Sequence, residues 1–374
     1  MRKNSFRSAR KKIIGALCSV ALVAGLCPAV ALADEGSKYT ASIQTEKAWA
    51  VNGDTFDVVL ASGAKDASTT LSCGQYTISY NSDIVSIDED GITADAAVTN
   101  LDKAVVTPGK AMVSFFGNTL TQSNIATLTF KAKATGNPEI KIIDAVAGAS
   151  ENLDDQSVEF STDNLNVTVV KRFSDVYKSS SYYDIIYQAV SMSLIGGYSD
   201  GTFRPSIPLN RQQAAIMFYR AYGSETGVDQ ASLETLTDQA TITSAEARNA
   251  IAWCINNGVV GGKTHTADGT KYYDPKGELT RQQLCTMVAR AAANLNGIEV
   301  ANADQTLLNS MTDQASITNE EARNAIAWCA NNNIVGGKTN KADGTKYFDP
   351  KASATRAQFT KILVGAVTQN FLGK

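Results

Sequence analysis

Arg248-Asn249-Ala250-Ile251-Ala252-Trp253-Cys254 recurs unchanged as Arg323-Asn324-Ala325-Ile326-Ala327-Trp328-Cys329. The repeat extends well beyond it, residues 238–290 answering residues 313–365 at a constant offset of 75 without a gap. A third, more diverged copy precedes them. Its Gly196-Gly197, Asp200-Gly201-Thr202, Pro205 and Arg211-Gln212-Gln213 answer Gly261-Gly262, Asp268-Gly269-Thr270, Pro275 and Arg281-Gln282-Gln283. The two later copies carry five extra residues between the glycine pair and the proline. Each copy reads as helix, glycine-rich loop, helix. In the second, Thr243 and Glu246 have capping-box spacing, and Ala247, Ala250, Ile251, Cys254 and Ile255 form one apolar stripe that stops near Gly258. Its second helix opens at Thr280 with Gln283 three residues on, and Leu284, Met287, Val288 and Ala291 share a face. Two short helices cannot bury such stripes alone, so the copies are expected to pack on one another.

Residues 38–170 follow another rhythm. Tyr76, Ile78 and Tyr80, then Leu128, Phe130 and Ala132, then Leu165, Val167 and Val169 alternate with polar residues at period two. Asn52-Gly53-Asp54, Pro108-Gly109 and Gly136-Asn137-Pro138 supply turns between the runs. Many short strands at this spacing predict an antiparallel β-sandwich with one core.

The first residues read as an export signal. Arg2, Lys3, Arg7, Arg10, Lys11 and Lys12 precede an apolar stretch from Ile13 that closes on Ala31-Leu32-Ala33, so residues 1–33 are expected to be removed before Asp34. A retained membrane anchor is the other reading, opposed by Gly15, Gly25 and Pro28 within the stretch. Removal takes six of the 34 Lys and Arg and none of the 37 Asp and Glu, leaving 28 against 37 and a net charge of −9. That balance argues against nucleic acid as a partner. Nothing past Asp34 is long and apolar enough to span a bilayer. Of the remaining cysteines, Cys73, Cys254, Cys285 and Cys329, no two form a CxxC pair, which disfavours zinc. Cys254 and Cys285 sit on the two helices of one repeat, where they either bridge or remain small buried thiols.

The repeats resemble S-layer-homology modules. Phe173-Ser174-Asp175-Val176, Gly197-Tyr198-Ser199-Asp200-Gly201-Thr202-Phe203-Arg204-Pro205 and Leu209-Asn210-Arg211-Gln212-Gln213-Ala214 fit that pattern in the first copy. Leu279-Thr280-Arg281-Gln282-Gln283 and Ala354-Thr355-Arg356-Ala357-Gln358 keep the second-helix motif, while the Asp-Val opening is reduced to Thr237-Asp238 and Thr312-Asp313. The resemblance implies an all-α, pseudo-threefold array of three modules (173–228, 236–297 and 311–370) that holds a secondary cell-wall polysaccharide, often pyruvylated, in grooves between modules. If Asn210, Thr280 and Thr355 are N-caps, backed by Gln213, Gln283 and Gln358, then Arg211, Arg281 and Arg356 begin helices where free amides and the dipole favour an anion. A guanidinium there adds two parallel donors for a carboxylate. The competing reading makes them solvated surface charges. Gln213, Gln283 and Gln358 stand where the family usually has Glu, and Ser181, Glu246 and Glu321 where it commonly has Trp. Trp253 and Trp328 lie elsewhere on the first helices and read as packing residues. On the ligand reading, replacing all three arginines with Ala is expected to release the protein from wall sacculi without changing its helical signal.

The sandwich resembles a cohesin-type domain, related in architecture to carbohydrate-binding modules. The likeness rests on Asn52-Gly53-Asp54-Thr55-Phe56-Asp57-Val58, Tyr76-Thr77-Ile78-Ser79-Tyr80-Asn81-Ser82-Asp83-Ile84-Val85 and Ile125-Ala126-Thr127-Leu128-Thr129-Phe130-Lys131-Ala132. It implies a dockerin-bearing protein, or a carbohydrate, as partner. Chemistry is scarce by contrast. The single histidine, His265, is Asn340 in the duplicate, and no GxSxG, HExxH, Walker or dinucleotide motif occurs. Asp268-Gly269 and Asp343-Gly344 are turn signals without the spaced carboxylates of a calcium loop. Asp154-Asp155 sits on a polar loop and offers no acid/base pair. The expectation is an exported, non-enzymatic surface protein without metal or cofactor, held on the wall by residues 173–368 and presenting the sandwich.

Overall fold

The computed structural model describes residues 36–149, 157–223, 227–369 and 371. The residues expected to form an export signal and its cleavage site, and Asp154-Asp155, lie outside these. The chain divides into two compact units, Met1–Arg172 and Phe173–Lys374.

The first unit holds β1 (Tyr39–Gln44), β2 (Trp49–Val51), β3 (Thr55–Ala64), β4 (Leu71–Ser79), β5 (Val85–Ser86), β6 (Ile92–Ala94), β7 (Leu101–Thr107), β8 (Lys110–Leu120), β9 (Gln122–Ala132), β10 (Lys141–Gly148), β11 (Val158–Phe160) and β12 (Thr168–Val170). One sheet runs β11-β1-β3-β9-β5 with β6 also on β9, a second runs β10-β4-β8-β7, and β2 pairs with β12. Period-two alternation decides what meets between the sheets. Val58, Leu60, Leu128 and Phe130 from one sheet share a single core with Tyr76, Ile78, Val113 and Phe115 from the other. Tyr76 crosses that core and donates its hydroxyl proton to Ser62 Oγ at 2.6 Å, so its polar tip is satisfied. The expectation of a wholly antiparallel sandwich needs correcting. β11 runs parallel to β1 and β12 parallel to β2, because the strands that close the unit return alongside those that open it.

The second unit is built on α1 (Tyr183–Ser191), α2 (Arg211–Tyr222), α3 (Ala245–Asn256), α4 (Arg281–Asn296), α5 (Glu320–Asn331) and α6 (Arg356–Thr368), one pair per repeat. The unit is not purely helical. The five extra residues of the later repeats form two-residue hairpins, Lys263–Thr264 with Lys271–Tyr272 and Lys338–Thr339 with Lys346–Tyr347. The cap of α3 is Ser244, whose Oγ accepts from the Ala247 N–H, rather than Thr243. Glu246 is thereby free of a capping role and turns to Arg220.

An aspartate at the head of each repeat fixes its loop. Asp238 accepts from the N–H groups of Tyr273 and Asp274 at 2.8 and 2.7 Å. Asp313 does the same for Phe348 and Asp349, and Asp175 for Phe203 and Arg204. Arg204, Asp274 and Asp349 are left-handed, with φ of 58, 60 and 61°. Such a backbone costs a non-glycine residue about 1–2 kcal/mol, which two charge-assisted hydrogen bonds offset. Losing the Val of the Asp-Val opening thus leaves its working part in place.

The repeats join through their backbones. Leu209 donates to the Ala354 carbonyl, Ala354 to that of Leu279, and Leu279 to that of Leu209, at 2.8, 2.8 and 2.9 Å. All three side chains are fully buried. The first helix of a repeat packs on the second helix of the repeat before it: α3 on α2 and α5 on α4, with α1 on α6 closing the circuit.

Candidate functional site

The second helix of each repeat begins in the same way. Asn210, Thr280 and Thr355 accept through their side chains from the backbone N–H of Gln213, Gln283 and Gln358, whose side-chain Oε1 atoms accept in return from the N-cap N–H groups. Arg211, Arg281 and Arg356 are therefore first in their helices. Their surroundings differ from those of an open anion site. The N–H of Arg211 donates to the Gly277 carbonyl and that of Gln212 to Pro275. Arg281 and Gln282 use Ala352 and Pro350, while Arg356 and Ala357 use Ile207 and Pro205. With the third amide taken by the cap, no amide of the first three remains for an anion. Contrary to expectation, these helix starts offer an anion no free amide.

The arginine side chains are buried, with 8, 6 and 6 % exposure for Arg211, Arg281 and Arg356. They are not solvated surface charges. Arg211 donates from Nε to the Tyr273 carbonyl at 2.7 Å and from Nη2 to that of Gly261 at 3.0 Å. Arg281 treats Phe348 and Gly336 alike, at 2.9 and 3.2 Å. Arg356 reaches Phe203 and Gly196, at 2.9 and 3.0 Å. Each guanidinium also lies over the ring of the aromatic residue whose carbonyl it holds, at 4.6, 4.6 and 4.7 Å from the ring centre. First repeat holds second, second holds third, third holds first. Burial pulls the Arg356 guanidinium below its ordinary value, with Tyr198 opposing the shift. Nη1 of each arginine has no hydrogen-bond partner among the described residues, which leaves both of its N–H donors for something else.

Arg211 also lines a groove. Between α4 and α5 a cavity of about 280 Å³ is lined by Arg211, Gly261, Gln282, Gln283, Arg290 and Asn319. A wider hollow of about 640 Å³ shares Thr286 and Arg290 with it and continues past Asn294, Glu299, Glu321 and Asn324. Amide and guanidinium groups share the smaller cavity with Val260, Leu279, Met287 and Ala322, a mixed lining that offers hydrogen bonds to hydroxyls and apolar contact to a sugar face. Arg290 spans the groove in a two-point pair with Glu321, Nε to Oε1 at 2.5 Å and Nη2 to Oε2 at 2.7 Å. Those hydrogen bonds hold the Glu321 carboxyl below its usual range. Arg220 and Glu246 repeat the pair between α2 and α3.

The first glycine of each pair and the second differ in function. A Cβ on Gly261 or Gly336 would meet nothing within 4 Å, and one on Gly196 would touch only Arg220 Nη1 at 3.9 Å. Gly197, Gly262 and Gly337 are close-packed against Phe173, Tyr272 and Tyr347. The first glycine accordingly keeps the groove open and the second permits close packing. Trp253 and Trp328 are buried against Tyr219 and Phe371. His265 stacks on Tyr272 of its hairpin. Among the described residues no group of His, Cys, Asp and Glu has the arrangement of a metal site, and no helix is long and apolar enough to cross a membrane. Reading the sequence alone missed the aspartate clamp and the Arg–Glu pairs. The first was visible in the Thr-Asp common to residues 237–238 and 312–313, and the second had no local signal.

The S-layer homology domain family matches residues 172–215 and 310–360. An endoglucanase of Bacillus sp. strain KSM-635 is 28% identical over 191 residues, covering 51% of this chain and 18% of the relative. The surface-layer 125 kDa protein of Lysinibacillus sphaericus is 28% identical over 158 residues, 40% of this chain and 13% of the relative. The chain thus spans less than a fifth of the length of either curated relative. Among solved structures, a cohesin module of a Clostridium perfringens glycoside hydrolase is 17% identical, covering 36% of this chain and 99% of that one, at a TM-score of 0.30. The sixth cohesin of Acetivibrio cellulolyticus scaffoldin B is 20% identical, covering 34% and 99%, at a TM-score of 0.28. The matched residues lie in the first and third repeats, and the second repeat is the near-duplicate of the third.

Proposed function

We propose that this is an exported, non-enzymatic cell-surface protein whose three repeats, ordered about a pseudo-threefold axis, anchor it non-covalently to an anionic secondary cell-wall polysaccharide. The observation that carries the reading is the groove between α4 and α5, which Arg211 lines together with Gly261, Gln282, Gln283 and Asn319. Its donors match sugar hydroxyls and a pyruvyl-type carboxylate. The S-layer homology matches support the same reading. In it Arg211, Arg281 and Arg356 act twice, through Nε and Nη2 on the protein and through Nη1 on the polymer. Asn210, Thr280, Thr355, Gln213, Gln283 and Gln358 hold the helix starts that present them. The sandwich is the displayed part. Its four-stranded sheet turns Gln75, Thr77 and Met112 away from the core as a face for a dockerin-bearing protein or a carbohydrate.

Replacing the arginines is a poor test because it strips the junctions. Gly196→Leu, Gly261→Leu and Gly336→Leu together fill the grooves from positions with room for a Cβ. The full chain is expected to co-sediment with wall sacculi, to lose binding when the secondary polymer is extracted by mild acid, and to bind at least tenfold more weakly with the three leucines at an unchanged melting temperature. Equal binding to extracted sacculi, or by the leucine variant, would overturn the proposal.

A further inference from the structure

We propose that Cys285 and Cys329 are joined as a disulfide that fastens the second repeat to the third, at the only one of three equivalent junctions built to accept it. Position matching is set by the backbone: Leu194 donates to Ala189, Val259 to Cys254 and Ile334 to Cys329, so Ala189, Cys254 and Cys329 correspond. On the facing helices Ala215, Cys285 and Thr360 correspond, each four residues after the junction arginine. Because the first helix of one repeat packs on the second helix of the repeat before it, each first-helix residue meets the second-helix residue of its neighbour. Cys254 Sγ lies 3.8 Å from the Ala215 carbonyl oxygen, and Cys329 Sγ lies 3.9 Å from that of Cys285. The three junctions therefore pair Cys254 with Ala215, Cys329 with Cys285, and Ala189 with Thr360. Only the middle one places two cysteines at facing positions.

This arrangement replaces the pairing of Cys254 with Cys285, whose helices belong to one repeat and do not face each other. Cys73, in the other unit, donates instead to the Gly148 carbonyl. All four thiols are free and buried in this structure. Burial and the neighbouring Cys285 push the Cys329 thiol well above its ordinary value, so a folded, dry junction resists oxidation. The bond must form while the chain folds, before α4 and α5 close. The two thiols then give up two protons and two electrons to an external disulfide, which leaves as two thiols, and the Sγ–Sγ bond forms. The proposal rests on the export reading only for its oxidising surroundings. Its consequence is mechanical: the bond ties the two walls of the groove that runs between Arg211 and Glu321.

The test refolds the full chain from denaturant in reduced and oxidised glutathione, blocks free thiols, and maps the digest by mass spectrometry. The expected product is a Cys285–Cys329 peptide pair, lighter by two hydrogen atoms than its reduced components, with Cys73 and Cys254 alkylated. The oxidised protein should melt roughly 5–10 °C above protein refolded in dithiothreitol. Cys285→Ala and Cys329→Ala should each abolish both effects. Alkylation of Cys285 and Cys329 as complete as that of Cys73 and Cys254, or a different cross-link, overturns the proposal. Loss of sacculus binding with the cross-link intact counts against the anchor reading alone.

Discussion

Arg281→Ala separates a structural arginine from a purely ligand-binding one. The wild-type side chain is 6 % exposed and supplies two hydrogen bonds across the junction, to Phe348 and Gly336, with a ring contact at 4.6 Å. Hydrogen bonds from a charged donor contribute about 1.5–3 kcal/mol each, and the ring contact about 1 kcal/mol. Water entering the space recovers part of that, leaving an expected loss of about 4 kcal/mol. For a unit of this size the melting temperature falls by roughly 10 °C. Arg281→Lys keeps the charge but not the two-point fork, and is expected to recover less than half of the loss. The assay is thermal and urea unfolding of the full chain followed by far-ultraviolet circular dichroism. A shift within about 0.5 kcal/mol, the scale of an ordinary surface substitution, would refute the junction role. It would also restore the simpler expectation that removing all three arginines releases the protein with its helices untouched.

Asp313→Ala removes both acceptors of the Phe348 and Asp349 amides and should cost about 2–4 kcal/mol, with Asp349→Gly in the same chain regaining about 1 kcal/mol by relieving the left-handed backbone; no gain on adding the glycine would refute the clamp. The lowered Glu321 carboxyl gives a stability contribution that is present above the unfolded value near pH 4.3 and lost as pH falls through the lower folded value. Glu321→Gln should therefore flatten the stability profile below about pH 4.5, at a cost under about 1 kcal/mol at neutral pH because the pair is half exposed. Unchanged acid sensitivity in that variant would remove the carboxylate from the account. Gly337→Ala, at the close-packed second glycine, should destabilise by about 1–3 kcal/mol while Gly336→Ala is neutral, since only the former meets the Tyr347 carbonyl and Met311; equal melting of the two variants would refute the division of labour.

The helices were legible because each carries its own apolar stripe, and the strands because alternation at period two is a local property. Ser244 in place of Thr243 is the ordinary one-residue uncertainty of a cap where two hydroxyl residues adjoin. The parallel pairings of β11 and β12 escaped because they depend on where a returning strand lands. The burial of the arginines escaped for a similar reason. Arg356 donates to carbonyls of Phe203 and Gly196, more than a hundred residues earlier, and no pattern around residue 356 announces those partners. Of the two readings of Cys254 and Cys285, the small buried thiols are what the structure has, and the bridge is disfavoured on a narrower point. Helices of one repeat are neighbours in sequence, but the packing runs α2 to α3 and α4 to α5, across repeat boundaries.

That packing order explains where the repeats are free to differ. Two of the junctions lie between consecutive repeats, and both carry an Arg–Glu pair, Arg220 with Glu246 and Arg290 with Glu321. The third is made by the last repeat and the first, whose matching positions hold Gly365 and Ser181. Its arginine, Arg356, lies over two rings, Tyr198 and Phe203, and Tyr198 is also overlain by Arg204 and accepts from Gln213 Nε2. Glycine at 365 leaves no side chain to reach across, so the α6–α1 junction is held by aromatic stacking and backbone bonds where the others add an ion pair. Salt screens an exposed ion pair far more than a buried ring contact. Raising ionic strength should therefore loosen the α2–α3 and α4–α5 junctions while sparing α6–α1, which amide exchange resolved by repeat would detect; uniform exchange across the three junctions would show that the Arg–Glu pairs contribute nothing to holding the repeats together.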